Sequence, residues 1–130
     1  MIKQILLNAL INTFAEELRS KGFEGDIHSD YASRISSSMD NSVYFVVLNL
    51  VVFPYGKDDV NKIFALASKQ EYHEVEFSPR GGGTGTAGHS LCAVVIVDTS
   101  RYMNNILEID FENEFVKVSL ELFWISLIIV

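Results

Sequence analysis

Cysteine, proline and basic side chains are all scarce in this chain. The single cysteine, Cys92, excludes an internal disulfide framework and a cysteine-rich zinc site. It fits a reducing, cytoplasmic setting. Ten Lys and Arg stand against seventeen Asp and Glu, for a net charge of −7. That balance argues against nucleic acid as a partner, because counterion release needs a basic stripe. It also argues against an anionic membrane surface as the main partner. Long apolar runs are missing: the C-terminal Leu120–Val130 is roughly half the ~20 residues that cross a bilayer, so no transmembrane span is expected. Asn8, Asn12, Glu16 and Glu17 break up the N-terminal apolar stretch, unlike a secretory leader. His28, His73 and His89 are too scattered for a metal site, and no metal is expected.

What is present suits one folded domain. The 130 residues are 48% hydrophobic and 21% charged, enough to build a packed core. Ile2, Ile5, Leu6, Ala9, Leu10, Phe14 and Leu18 recur at three and four, predicting a core-packing helix with Gly22 as its left-handed cap. Gly25 to Asn41 is polar and serine-rich and reads as a surface connector. Leu50–Phe53 predicts a strand stopped by Pro54. Lys57, Asp58 and Asp59 open a helix whose apolar face is Val60, Ile63, Phe64 and Ala67. Val75–Phe77 predicts a second strand, with Pro79 beginning a loop. Val94–Val97 reads as a strand buried on both faces. Ile106–Ile109 and Phe115–Val118 alternate as a hairpin around Asp110–Glu114. The order is helix, β-α-β, glycine loop, strand, hairpin: an α+β fold.

Five of the eight glycines fall in Pro79-Arg80-Gly81-Gly82-Gly83-Thr84-Gly85-Thr86-Ala87-Gly88-His89-Ser90. Glycine admits positive φ and close approach of a ligand. Successive backbone N–H groups make a concave anion site. Arg80 adds positive charge, and Thr84, Thr86 and Ser90 add hydroxyl donors, a set suited to phosphate or pyrophosphate. Gly83, Gly85 and Gly88 spell G-x-G-x-x-G, and Gly83 to Ser90 nearly spells a P-loop with His89 in the lysine position. Both motifs need a helix to follow, and the four residues between His89 and Val94 leave no room for one. An anion-binding loop and a ligand-free glycine hairpin both remain open on the residues alone.

Pro79–Gly85, followed by Asp98-Thr99-Ser100-Arg101 and then Asn104, Ile106 or Leu107, and Ile109, resembles the flavin loop of FAD-linked oxidases. This is the family of vanillyl-alcohol oxidase and p-cresol methylhydroxylase (the PCMH type). Val51-Val52-Phe53-Pro54 and Asp59-Val60 resemble its first strand, proline and first helix. Gly22-Phe23, Gly25-Asp26, Asp30-Tyr31-Ala32, Arg34 and Asp40–Tyr44 resemble its large bacterial members, of D-2-hydroxyglutarate dehydrogenase and glycolate oxidase FAD-subunit type. The resemblance implies the first half of a PCMH-type FAD-binding domain. It implies FAD as cofactor and partner, with hydride transfer from a small 2-hydroxy acid in full-length relatives. It implies cofactor binding by Pro54, Arg80, Gly81, Gly82, Gly83, Thr84, Gly85, Thr86, Gly88, His89 and Ser90. The Asp98–Arg101 turn would shape the same cavity.

The expected division is an N-terminal helix and connector (1–47), a partial FAD-binding domain (48–118) and an apolar tail outside the family pattern (119–130). Family enzymes are several times longer, and the catalytic groups they carry downstream have no counterpart here. The tail reads as a shifted frame or a broken gene. It is expected to pack where the rest of the domain would dock, the other outcomes being a membrane surface or self-association. Two functions stay open: the flavin-binding part of a 2-hydroxy-acid dehydrogenase, and a non-catalytic remnant without turnover. Cys92 reads as a small apolar filler. Glu112, Glu114 and Glu121 form no paired-carboxylate pattern.

Overall fold

The computed structural model describes residues 2–121; the expected home of the tail beyond Glu121 lies outside the described residues. The chain runs α1 (Ile2–Ser20), β1 (Asp26–His28), α2 (Tyr31–Ser36), β2 (Leu50–Phe53), α3 (Lys57–Ala67), a 3-10 turn (Gln70–Tyr72), β3 (Phe77–Arg80), β4 (Val95–Asp98), β5 (Ile106–Asp110) and β6 (Phe115–Val118). Four strands form one sheet in the order β1-β2-β4-β3. β2, β4 and β3 are mutually parallel, and β1 is antiparallel on the edge. β5 and β6 form a separate hairpin.

The sheet is buried on both faces at its centre. Leu50, Val52 and Val95 face α1 and α3, packing with Phe14, Leu18, Ile63, Leu66 and Tyr72. Val51, Phe53 and Ile96 face the other way, with Leu48, Cys92 and Tyr102 over them. A strand covered on both faces reads as an unbroken apolar run, which is why β2 and β4 were legible.

Helix α1 forms as expected and ends at Gly22, which takes φ +73°. Gly22 N–H donates to the Arg19 carbonyl and Phe23 N–H to the Leu18 carbonyl, closing the helix with a glycine-dependent cap. Its apolar stripe packs over half its length only. Ile11, Phe14, Ala15 and Leu18 are buried, while Ile2, Ile5 and Leu6 are exposed, because only the C-terminal half lies over the sheet.

Three further expectations are corrected. The polar connector Gly25–Asn41 holds β1 and α2; α2 is opened by Asp30, whose carboxylate accepts the Ser33 N–H at 2.9 Å. The second strand runs later than expected, and Pro79 lies within it rather than opening a loop. An edge strand tolerates proline, because one side of it has no neighbour to receive an N–H. In α3 the buried positions are Asp59, Ile63 and Leu66, while Phe64 is exposed.

Asp59 is only 2% exposed. Its carboxylate accepts N–H groups from Glu24 (3.1 Å), Gly25 (2.8 Å) and Tyr55 (3.0 Å), and the Lys62 ammonium at 2.9 Å. One side chain therefore ties the approach to β1, the exit from β2 and the start of α3. Gly25 must be glycine, since a Cβ there would run into the Phe53 carbonyl. Burial alone would raise the Asp59 pKa, but Lys62 and the three N–H donors outweigh it and hold the carboxyl below its ordinary range.

A depressed folded-state pKa contributes stability that is fully present above the unfolded value of about 3.9. That stability is lost as pH falls through the lower folded value. Asp59→Asn is expected to destabilise the chain by about 2–3 kcal/mol near neutral pH. In urea unfolding at stepped pH, its deficit against wild type should shrink below about pH 4. A deficit that does not change with pH would contradict this role.

Candidate functional site

Parallel pairing brings the carboxyl ends of β2, β3 and β4 to one edge of the sheet, where open sheets of this kind present their ligand sites. Residues 81–94 lead from the end of β3 back to the start of β4 with no helix between them, as expected, which removes the Rossmann and P-loop alternatives. Gly83 and Gly88 take φ +65° and +73°, the conformation for which glycine is needed.

Arg80 sits under this loop. It pairs with Asp98 at 3.4 Å, its Nη1 reaches the Ser90 hydroxyl at 3.5 Å, and a Cβ on Gly83 would collide with its guanidinium. Both members of the pair are largely buried. Asp98 also accepts the Ser100 N–H (2.9 Å) and hydroxyl (2.6 Å), and the Arg80 carbonyl accepts the Thr99 N–H at 2.9 Å. Arg80 is thus a brace under the loop, its charge already matched by Asp98.

The upstream segment closes the other side. Asn41 N–H donates to the Gly83 carbonyl at 3.0 Å. The Ser90 hydroxyl donates to Asp40 at 3.2 Å, and Asp40 accepts the Ser42 N–H at 2.9 Å. These Ser42 contacts first, then Ser90 and the Arg80 charge, hold the Asp40 carboxyl below its usual range. Tyr44 packs against Gly88, 3.0 Å from where a Cβ would stand. Met39, Asp40, Asn41, Arg80, Gly83 and Thr84 line a shallow hollow of about 440 Å³.

The other expected site residues are placed around this core. Gly81 and Gly82 lie against the Glu121 carboxylate. Gly85 faces Asp40, and Thr86 and His89 are exposed. Pro54 is fully buried after β2 and does not line the hollow. The Asp98–Arg101 turn was expected at the cavity, but not the pairing of Asp98 with Arg80; Asp40–Ser42, as the clamp on Gly83 and Ser90, were not expected as site residues. The short Asp40-x-Ser42 turn spacing was the available signal for the second. Among the described residues no three of His, Cys, Asp and Glu gather as a metal site.

The donor set fits a diphosphate. Among the described residues, the amides of Gly83 through Ser90 donate to no protein acceptor, and the Gly82 amide already donates to a carboxylate at 3.1 Å. Unpaired amides in a glycine loop are the groups that an anion takes up. Backbone N–H groups of Gly81–Gly88 would hold the pyrophosphate of FAD, with the Thr84 and Thr86 hydroxyls beside them.

The buried pair gives a direct check on the brace. Asp98→Ala, which leaves Arg80 uncompensated, is expected to cost about 2–3 kcal/mol in urea unfolding. Adding Arg80→Met should recover part of that loss, and a double variant as unstable as the sum of the two singles would contradict the pairing.

Residues 48–120 match the FAD binding domain family. The chain is 47% identical over 105 residues to D-2-hydroxyglutarate dehydrogenase of Pseudomonas putida, covering 81% of this chain and 10% of that protein. It is 46% identical over 109 residues to D-2-hydroxyglutarate dehydrogenase of Escherichia coli, covering 84% and 11%. The chain therefore spans about a tenth of the length of these relatives. Among solved structures, alkyldihydroxyacetonephosphate synthase shares the fold with a TM-score of 0.66 at 23% identity, over 78% of this chain and 21% of that one. A second crystal form of the synthase gives 0.62 at 22% identity, over 77% and 21%. With its parallel sheet edge, its helix-free glycine loop and this match over residues 48–120, the chain belongs to the FAD binding domain family, and its cofactor is FAD.

Proposed function

We propose that the chain is the N-terminal flavin-binding part of an FAD-dependent 2-hydroxy-acid dehydrogenase, of D-2-hydroxyglutarate, D-lactate or glycolate type. The observation that carries this is the glycine loop, braced by Arg80–Asp98 and clamped by Asp40 and Asn41, with the amides of Gly83–Ser90 free for an anion among the described residues. The similarity to D-2-hydroxyglutarate dehydrogenases supports the substrate class. When bound, the flavin supplies hydride acceptance from the α-carbon of the hydroxy acid. The chain's own residues supply positioning: the amides of Gly81–Gly88 take the pyrophosphate, Thr84 and Thr86 offer hydroxyls, Ser90 holds the loop through its bond to Asp40, and His89 lies exposed beside them. In this reading residues 1–47 are an N-terminal helix and connector, 48–118 the flavin-binding part and 119–130 a segment outside it. A reducing, cytoplasmic location is supported by the free thiol of Cys92. Among the described residues no helix is long and apolar enough to cross a membrane. A second reading, a non-catalytic remnant, is favoured by one contact: the Glu121 carboxylate lies against the Gly82 amide.

The hollow beside the loop is shallow, whereas a tight cofactor site buries most of its ligand. FAD is therefore expected to bind the purified chain reversibly, with a Kd of about 100 μM or weaker, and to be lost on desalting. Flavin fluorescence titration should show saturable binding that Gly82→Val abolishes. Absence of saturable binding, or binding indifferent to Gly82→Val, would overturn the reading. A yellow complex that survives desalting would contradict the weak, one-walled site.

A further inference from the structure

Glu121 is not part of the loop, yet its carboxylate rests on it. Its Oε2 accepts the Gly82 N–H at 3.1 Å, and a Cβ on Gly81 would run into the same carboxylate. The backbone positions it: Glu121 N–H donates to the Met103 carbonyl at 2.9 Å, and Ser119 N–H donates to the Asn105 carbonyl at 2.9 Å. Among the described residues no Lys, Arg or His lies within ion-pair distance of Glu121. Arg80, the fixed cation under the loop, is committed to Asp98. Among the described residues the carboxylate therefore has no cationic partner, and it rests instead on an amide of the glycine loop. That is the interaction an anionic ligand makes in such a nest.

We propose that Glu121 is an internal anion that occupies the Gly81–Gly82 edge of the glycine loop and competes there with a bound diphosphate. The proposal rests on the flavin reading of the loop and adds its regulation. A diphosphate arriving at Gly82 meets the carboxylate in two ways. The carboxylate holds an amide that the ligand needs, and its like charge opposes the ligand at close range. Displacing Glu121 costs the contact but leaves the carboxylate free to enter water. The competition is therefore partial, a lowering of affinity and not a block.

The test compares wild type, Glu121→Gln, Glu121→Ala and Glu112→Gln. Glu112→Gln removes the same charge from the far hairpin turn and so reports any long-range effect of net charge. Each protein is titrated with inorganic pyrophosphate and with FAD by calorimetry, and backbone amides are followed by NMR. Without ligand, Glu121→Ala should move the Gly82 amide resonance, and Glu112→Gln should leave it in place. Both Glu121 variants should bind pyrophosphate about five- to tenfold more tightly than wild type, the size of one partly exposed charge-assisted contact. Glu112→Gln should bind as wild type does. Equal affinity in all four proteins would overturn the competition while leaving the flavin reading intact. Equal tightening by Glu112→Gln would overturn it as well, by showing that the effect is general charge. If none of the four binds either pyrophosphate or FAD, the flavin reading falls and the competition falls with it.

Discussion

β4 lies between β2 and β3, and its register with β3 sets Pro79 beside Val97 and Arg80 beside Asp98. At the end of these strands, guanidinium and carboxylate meet at 3.4 Å with little water around either. Taking two charges out of water is costly, and the pair is worth having only where further hydrogen bonds complete it. Here Ser100 gives Asp98 two of them, and Ser90 completes Arg80. The pair fixes where the chain leaves β3 and where it turns after β4. The glycine loop hangs between those two points.

The rest of the site follows from that brace. Because Asp98 neutralises Arg80, the loop offers an anion its amides and hydroxyls, and the positive charge lies underneath. Gly83 passes over the guanidinium at a distance no Cβ would allow, so the closeness of loop and brace depends on glycine. Asp40, Asn41 and Tyr44 press on the loop from the segment before β2, which couples the N-terminal third of the chain to the site. Asp59 plays the matching part on the other side of β2, holding three backbone amides and Lys62. Two buried carboxylates, Asp59 and Asp98, thus fix the loops at one sheet edge around a core of β-branched side chains.

Much of this was legible in the sequence. β2 and β4 showed as apolar runs because both their faces are covered, and the β5–β6 hairpin showed through its alternation. The glycine loop showed through residue type alone, and the short gap to Val94 excluded a following helix. β1 and α2 did not show. β1 has three residues, Asp26, Ile27 and His28, and is held by pairing with β2, a tertiary cause that leaves no local pattern. α2 is a six-residue helix with no buried side chain, so it carries no apolar stripe. Pro79 misled because proline usually ends a strand, and only edge position makes it acceptable. In the site, the loop, Arg80 and the Asp98–Arg101 turn were visible, and the contacts that join them were not. Arg80 and Asp98 are far apart in the chain, and Asp40 meets Ser90 only through folding.

The proposed diphosphate site is the row of Gly81–Gly88 amides over the Arg80–Asp98 brace. A crystal structure of the full chain soaked with FAD tests it most directly. Diphosphate density is expected on the amides between Gly81 and Gly88, with Arg80 still paired to Asp98. Diphosphate density elsewhere, such as at the Lys57 end of α3, with the glycine loop free of ligand, would contradict it.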